Sequence, residues 1–304
     1  PQGKYSSGTG EAWETACTGC PYDSYSPDGS SLLNNCSCNK GYTGSYGVCA
    51  PCAPGKFKPQ SGSAACSPCA VGAFQKLPAR WQACLSCVAG KFANETGSSF
   101  CRSCPPHSFS TAAGSTHRTN CTCDLGYPGA DGGPCTECAA GKYQVLGSSC
   151  IDCDVGKYSS ALGATSPSIC FDCIAGKFAN GTGSSFCWDC SIHAFSFDGS
   201  DNVTDCLCNA GYSGPNGGPC AACSTGMYKN ITGPSNCRTC WQGTYSAAMG
   251  QSKCMDCPPD SNSGNKSSLL TNCTCNKGFT GQNGGTCSPC EAGKFKSHHG
   301  AAPC

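Results

Sequence analysis

A chain of 304 residues with 35 cysteines is more than one-tenth Cys, the composition of disulfide-stapled secreted scaffolds and not of ordinary soluble enzymes. A formal net charge of +1, with charged residues only 12% of the chain, excludes the broad basic or acidic field that recruits nucleic acid or an anionic membrane surface. Leu, Ile, Val and Phe together number 33, too few to line one large core, so cross-links must hold the backbone. Closing a 15-residue loop with a disulfide removes roughly 3 kcal/mol of denatured-state freedom. Such bonds persist in oxidising compartments, which predicts an extracellular or cell-surface location. No apolar run approaches the roughly 20 residues that cross a bilayer. The first residues lack the charged and apolar regions of a signal peptide, as a processed or incomplete ectodomain would.

From the N-terminus the chain repeats a short unit. A C-x-x-C doublet is followed by Gly-Lys-aromatic, a polar stretch usually containing Gly, and the next doublet. Seven copies read Gly-Lys-aromatic, from Gly3, Gly55, Gly90, Gly141, Gly156, Gly176 and Gly293. Three looser copies, from Gly72, Gly226 and Gly243, lose the lysine but keep Phe74, Tyr228 or Tyr245. The glycine permits a tight turn, and the ring is expected to cover the adjoining disulfide with the lysine left in water. One stretch is nearly duplicated: "CVAGKFANETGSSFC" from Cys87 returns as "CIAGKFANGTGSSFC" from Cys173, 86 residues later.

A longer unit is superimposed on the short one. C-x-C pairs stand at Cys36/Cys38, Cys121/Cys123, Cys206/Cys208 and Cys273/Cys275, at intervals of 85, 85 and 67 residues. The last interval holds two short units where the others hold three. Each marker precedes a glycine-rich stretch, "CNKGYTGSYGVC", "CDLGYPGADGGPC", "CNAGYSGPNGGPC" or "CNKGFTGQNGGTC", which reads as tight turns in a small hairpin-like loop. The markers divide the chain into a partial long repeat over 1–52, full ones over 53–138 and 139–223, a shortened one over 224–290, and the start of another over 291–304.

C-x-C-x-x-Gly-[Tyr/Phe]-x-Gly followed by Cys resembles the closing loop of EGF-like domains. The doublets with Gly-Lys-aromatic resemble the ephrin-receptor-like cysteine-rich repeat, in the style of tumour necrosis factor receptor ectodomains. The long Gly/Ser/Ala-rich array is also similar to cysteine-rich proteins of protist and algal surface filaments, including mastigonemes. These resemblances imply a small disulfide-rich fold: an elongated tandem array of cysteine-ladder modules with short β-hairpins, EGF-like closing loops and little or no helix.

If the closing loops pair internally as in EGF-like domains, the bonds are Cys38 to Cys49, Cys123 to Cys135, Cys208 to Cys220 and Cys275 to Cys287. The remaining cysteines then follow one rule, in which the second Cys of each doublet joins the first of the next. It gives Cys20 to Cys36, Cys52 to Cys66, Cys69 to Cys84, Cys87 to Cys101, Cys104 to Cys121, Cys138 to Cys150 and Cys153 to Cys170. It continues with Cys173 to Cys187, Cys190 to Cys206, Cys223 to Cys237, Cys240 to Cys254, Cys257 to Cys273 and Cys290 to Cys304. Seventeen bonds consume 34 cysteines and leave Cys17, whose partner is expected just before Pro1, so the chain reads as a window on a longer array. A crossed scheme, first Cys to first and second to second, remains open and would pair Cys49 with Cys66.

Eight positions fit the glycan acceptor rule N-x-[S/T]: Asn35, Asn94, Asn120, Asn180, Asn202, Asn230, Asn265 and Asn272,. In Asn35, Asn120 and Asn272 the middle residue is Cys, and disulfide formation competes with glycan transfer. Zinc on the doublets and a redox C-x-x-C are disfavoured, since no doublet stands apart from its neighbours. His107, His117, His193, His298 and His299 form no catalytic pattern and are expected at the surface. Asp198, Asp201 and Asp205 offer calcium oxygens, but a solvated turn carrying a glycan on Asn202 fits the sequence better. No catalytic residue, metal or cofactor is expected.

The function this implies is that of a non-catalytic structural glycoprotein, a disulfide-stiffened rod forming or coating a cell-surface or flagellar filament. Its partners would be itself or other surface glycoproteins, through covalent glycans or repeated corners acting multivalently, with no nucleic acid and no membrane span. The alternative is a receptor or adhesion ectodomain binding a protein ligand. Each module is expected to touch mainly its neighbours.

Overall fold

The computed structural model describes residues 1–10 and 12–304, which form two compact units: Pro1–Glu137 with Leu146–Ser149, and Cys138–Val145 with Cys150–Cys304. Each unit is a succession of modules closed by one disulfide. In a typical module the chain enters at the second cysteine of a doublet, turns at a glycine three residues on, and forms a two-residue strand. It then crosses a polar tip and returns through a second short strand. Lys91–Phe92, for example, pairs antiparallel with Arg102–Ser103, Lys91 opposite Ser103 and Phe92 opposite Arg102. The return strand is therefore the x-x of a doublet, here Cys101/Cys104. Among the described residues the first unit has seven such hairpins and the second nine. The longest pairs Tyr42–Ser45 with Val48–Pro51. No α-helix occurs among the described residues; single 3-10 turns precede the C-x-C pairs at Leu33–Asn35, Arg118–Asn120, Val203–Asp205 and Leu270–Asn272.

An isolated two-stranded hairpin is marginal in water, and here sulfur supplies the missing core. Of the seventeen disulfides, thirteen join second to first cysteines of successive doublets, from Cys20–Cys36 to Cys290–Cys304. The loops after each C-x-C close internally, as Cys38–Cys49, Cys123–Cys135, Cys208–Cys220 and Cys275–Cys287. Cys49 thus pairs with Cys38 and not with Cys66, the partner a crossed scheme would require. Cys17 is free. The doublet spacing suits this ladder. Residues three apart on an extended segment face opposite ways, so one sulfur closes the module behind and the other opens the module ahead. In C-x-C the offset of two puts both sulfurs on one side.

Among the described residues, 15 of the 21 buried apolar residues are cysteines, joined only by Phe92, Ala93, Ala164, Phe178, Ala179 and Tyr245. No Leu, Ile or Val is buried among them. Outside the first module and the C-x-C loops, one further position per module is buried, three residues after the turn, and it is usually polar: Ser26, Lys58, Gln75, Ser110, Ser159, Ser196, Lys229, Ser246, Ser263 and Lys296. Some of these serines bond backward, Ser196 Oγ to the Lys177 carbonyl and Ser263 Oγ to that of Thr244, each at 2.9 Å.

Backbone bonds between modules carry the rest. The turn glycine of one module donates to the carbonyl of this buried position in the next, as Gly72 to Ala93 and Gly156 to Ala179, both 2.8 Å. The buried residue donates onward to the following tip, Ala93 to Ser115 and Ala179 to Ser200, both 3.1 Å. The tip glycine donates back to the opening cysteine of the preceding module, Gly114 to Cys87 and Gly199 to Cys173, both 2.7 Å. Buried backbone groups need such partners, and a module with two-residue strands finds them in its neighbours.

Candidate functional site

The turn glycine is the position on which the stacking depends. Gly141 has φ +84°, and a Cβ built there would lie 2.0 Å from the carbonyl oxygen of Gly183. Gly183 is the tip of the second module ahead, not the first. The same squeeze joins Gly41 to Ala79, Gly55 to Gly97, Gly72 to Gly114, Gly156 to Gly199, Gly211 to Gly250 and Gly226 to Lys266, at 1.9–2.3 Å. The expectation that modules touch mainly their neighbours is thus incomplete, since each of these corners also receives the tip of the module after next.

Four corners break the rule. Asp23, His107, His193 and Asp260 stand three residues after a cysteine, where other modules have glycine, with φ of +57° to +64°. Asp and His are among the residue types that tolerate this region best. All four belong to the module before a C-x-C loop, and their side chains or backbones engage that loop. His107 stacks on Tyr127 at 4.0 Å between ring centroids, and His193 on Tyr212 at 3.9 Å. The charge of Asp23 beside Tyr42 raises the phenol pKa, with burial and a hydrogen bond adding to it. Asp260 accepts at its backbone carbonyl from the Asn276 N–H at 2.9 Å.

The tip carbonyl that would fill such a corner is held elsewhere. Lys229, only 2% exposed, donates from Nζ to Tyr212 O at 2.7 Å, Cys208 O at 3.1 Å and the tip carbonyl of Gly233. Lys58 does the same for Tyr42 O, at 2.6 Å, and Gly62 O. Lys296 does so for Phe279 O, at 2.8 Å, and Gly300 O. Burial lowers the pKa of Lys58 and Lys229. Gln144, also buried, occupies the equivalent position after the second C-x-C loop. Sequence reasoning missed both halves of this junction, although the spacing from the doublet, three residues to the Asp or His and six to the Lys or Gln, is legible once the modules are aligned.

The C-x-C sequons have a structural role. Oδ1 of Asn35 accepts from Leu32 N at 2.9 Å, that of Asn120 from His117 N at 2.8 Å, and that of Asn272 from Leu269 N at 2.8 Å. Each side chain caps the start of the 3-10 turn that leads into C-x-C. In the third repeat Asp205 fills this place, its Oδ2 accepting from Asn202 N at 3.0 Å. An acceptor oxygen is all the position needs.

The remaining candidates do not converge. Asp198 Oδ1 accepts from Ala175 N at 2.6 Å, whereas Asp205 caps Asp201 N and Asn202 N, so these carboxylates serve separate turns. Among the described residues no group of three or more His, Cys, Asp or Glu is placed to hold a metal ion. All five histidines are exposed. Several corner lysines, expected to be left in water, instead pair across their hairpins, Lys142 with Asp152 at 2.6 Å, Lys157 with Asp172 at 2.5 Å and Lys177 with Asp189. The corner rings vary from buried, as Phe92 and Phe178, to exposed, as Phe295 at 82%, so they do not uniformly form a lid.

The fold and its corners define a small disulfide-rich protein built of tandem cysteine-ladder modules. The family described as tyrosine-protein kinase ephrin type A/B receptor-like matches residues 76–121, a stretch containing the complete rungs Cys87–Cys101 and Cys104–Cys121 and the His107 corner. That family is a receptor-like repeat module and not an enzyme family. No curated protein matches the chain. Extensive disulfide bonding and a receptor-ectodomain-like repeat support an extracellular protein.

Proposed function

We propose that the chain is a non-catalytic extracellular structural glycoprotein whose disulfide-stiffened modules form or coat a cell-surface or flagellar filament of the mastigoneme type. The observation that carries this reading is the squeeze at seven corners, where each module is locked to the second one ahead as well as the first. A catalytic or binding module needs one converging site; a locked, repeating backbone supports a load-bearing part. Its partners would be further copies of itself or other surface glycoproteins. The long repeats marked by C-x-C, over 53–138, 139–223 and 224–290, would be the periods at which equivalent surfaces recur. A receptor or adhesion ectodomain is the competing reading, favoured by the match over residues 76–121. Electron microscopy of the native material separates the two: regular fibres are the expected result, and isolated molecules binding one soluble protein would refute the structural role.

A further inference from the structure

We infer that Asn94 and Asn180 carry N-glycans whose first sugar packs intramolecularly on exposed rings of the same module, Phe100 in one copy and the Phe186–Trp188 pair in the other. The inference shares with the proposed function only the secretory, glycosylated state. In the module over 87–101, Asn94 and Thr96 of the sequon are exposed. They stand at the polar tip, directly after the buried Ala93. A groove of about 170 Å³ is lined by Asn94, Glu95, Ser98, Phe100 and Arg102, among others. It is the kind of shallow, mixed surface an amphipathic sugar fits. Phe100, 61% exposed, lines the same groove as Asn94, so a sugar tethered at Asn94 lies within reach of its ring.

The second copy extends the assignment by its sequence and its turn. The turn is repeated, Ser98 Oγ donating to the carbonyl at Glu95 at 2.7 Å and Ser184 Oγ to that at Gly181 at 2.8 Å. The groove wall changes. Where Arg102 pairs with Glu95 at 3.5 Å, the second copy has Trp188 and Gly181 at the corresponding positions, and Trp188 meets Phe186 edge-on at 4.6 Å. Phe186 is 49% and Trp188 55% exposed. The charged pair is exchanged for a ring while the sequon and the first ring are kept. That is the pattern expected if an apolar face at this spot has an occupant. A covalently tethered sugar is the one always present, offering a C–H-rich face to a ring whose π-face is negative.

The test expresses the full chain in a glycosylating secretory host and maps occupied asparagines by peptide N-glycosidase release in ¹⁸O water. The rate of glycan release from the native, oxidised protein is then measured. Label at Asn94 and Asn180 is expected. Native release at Asn94 should be about fivefold faster in Phe100→Ser, the factor for ~1 kcal/mol of ring contact. Arg102→Trp, which writes the second copy's wall into the first, should slow it by a similar factor. Equal rates in wild type and both variants overturn the inference, as does a label at Asn230 with none at Asn94. A chain unlabelled throughout would instead overturn the glycoprotein reading itself.

Discussion

Gly141 and His193 occupy the same place in two modules of one unit, three residues after the cysteine that opens the module, and both have positive φ. At Gly141 the space beside Cα is taken by the carbonyl of Gly183 from the second module ahead. At His193 the corresponding tip carbonyl, that of Gly233, is bonded by Lys229 instead, and the freed space admits an imidazole that stacks on Tyr212. The contrast shows that at seven corners, Gly141 among them, a contact two modules away excludes a side chain, in addition to the demand of the local turn. It also shows that at the third C-x-C loop the interlock is exchanged for a ring stack and a buried ammonium.

The largest effect should come from adding one methyl at an interlocked corner. Gly141→Ala is expected to lose at least ~3 kcal/mol, from left-handed strain and from overpacking against backbone. His193→Gly should stay within about 1 kcal/mol of wild type, since the stack it loses is offset by relief of strain. Calorimetric melting of the oxidised chain measures both, and a Gly141→Ala variant as mild as His193→Gly would break the comparison.

Next comes the ammonium. Lys229→Ala leaves backbone carbonyls without a donor and should cost about 1–3 kcal/mol, whereas Lys229→Gln, the residue found at 144, should recover part of the loss. The pH dependence sharpens this. Burial holds the folded pKa of Lys229 below its ordinary 10.5. Between those values the unfolded chain binds more protons, so wild-type stability relative to Lys229→Gln rises with pH through that window and is flat below it. Melting temperatures taken from neutral pH to above 10.5 test the sign.

The smallest effect is at the caps. Asn120→Ala should cost about 1 kcal/mol, while Asn120→Asp, copying Asp205, should melt with wild type. A loss in Asn120→Asp equal to that in Asn120→Ala would mean that the amide, and with it a glycan or another donor role, matters at this position.

Much of the architecture was legible from the spacing of cysteines, because the doublets repeat along the chain; the pairing itself came from the resemblance of the C-x-C loops to EGF-like domains, with a crossed scheme left open until the structure joined Cys49 to Cys38. Gly55, Gly141 and their equivalents were legible as turns for the same reason. Asp23, His107, His193 and Asp260 were not read as corners, since a search for glycine passes over the residues that replace it. Lys58, Lys229 and Lys296 were hidden by composition. Lysine ordinarily belongs in water, and only a tip carbonyl brought in by folding makes its burial favourable. The caps were read as sequons because one Asn side chain serves both chemistries, its Oδ1 as the cap acceptor and its Nδ2 as the atom a glycan would take.

The residue order by itself determined that sulfur would replace hydrocarbon, which cysteines would be consecutive, and where the chain would turn, because these depend on neighbours within about 17 residues of one another. The three-dimensional arrangement alone decided which turns must be glycine, which lysines are buried and where rings remain uncovered. Those depend on a carbonyl or a side chain supplied by a module that is distant in sequence and brought near only by stacking.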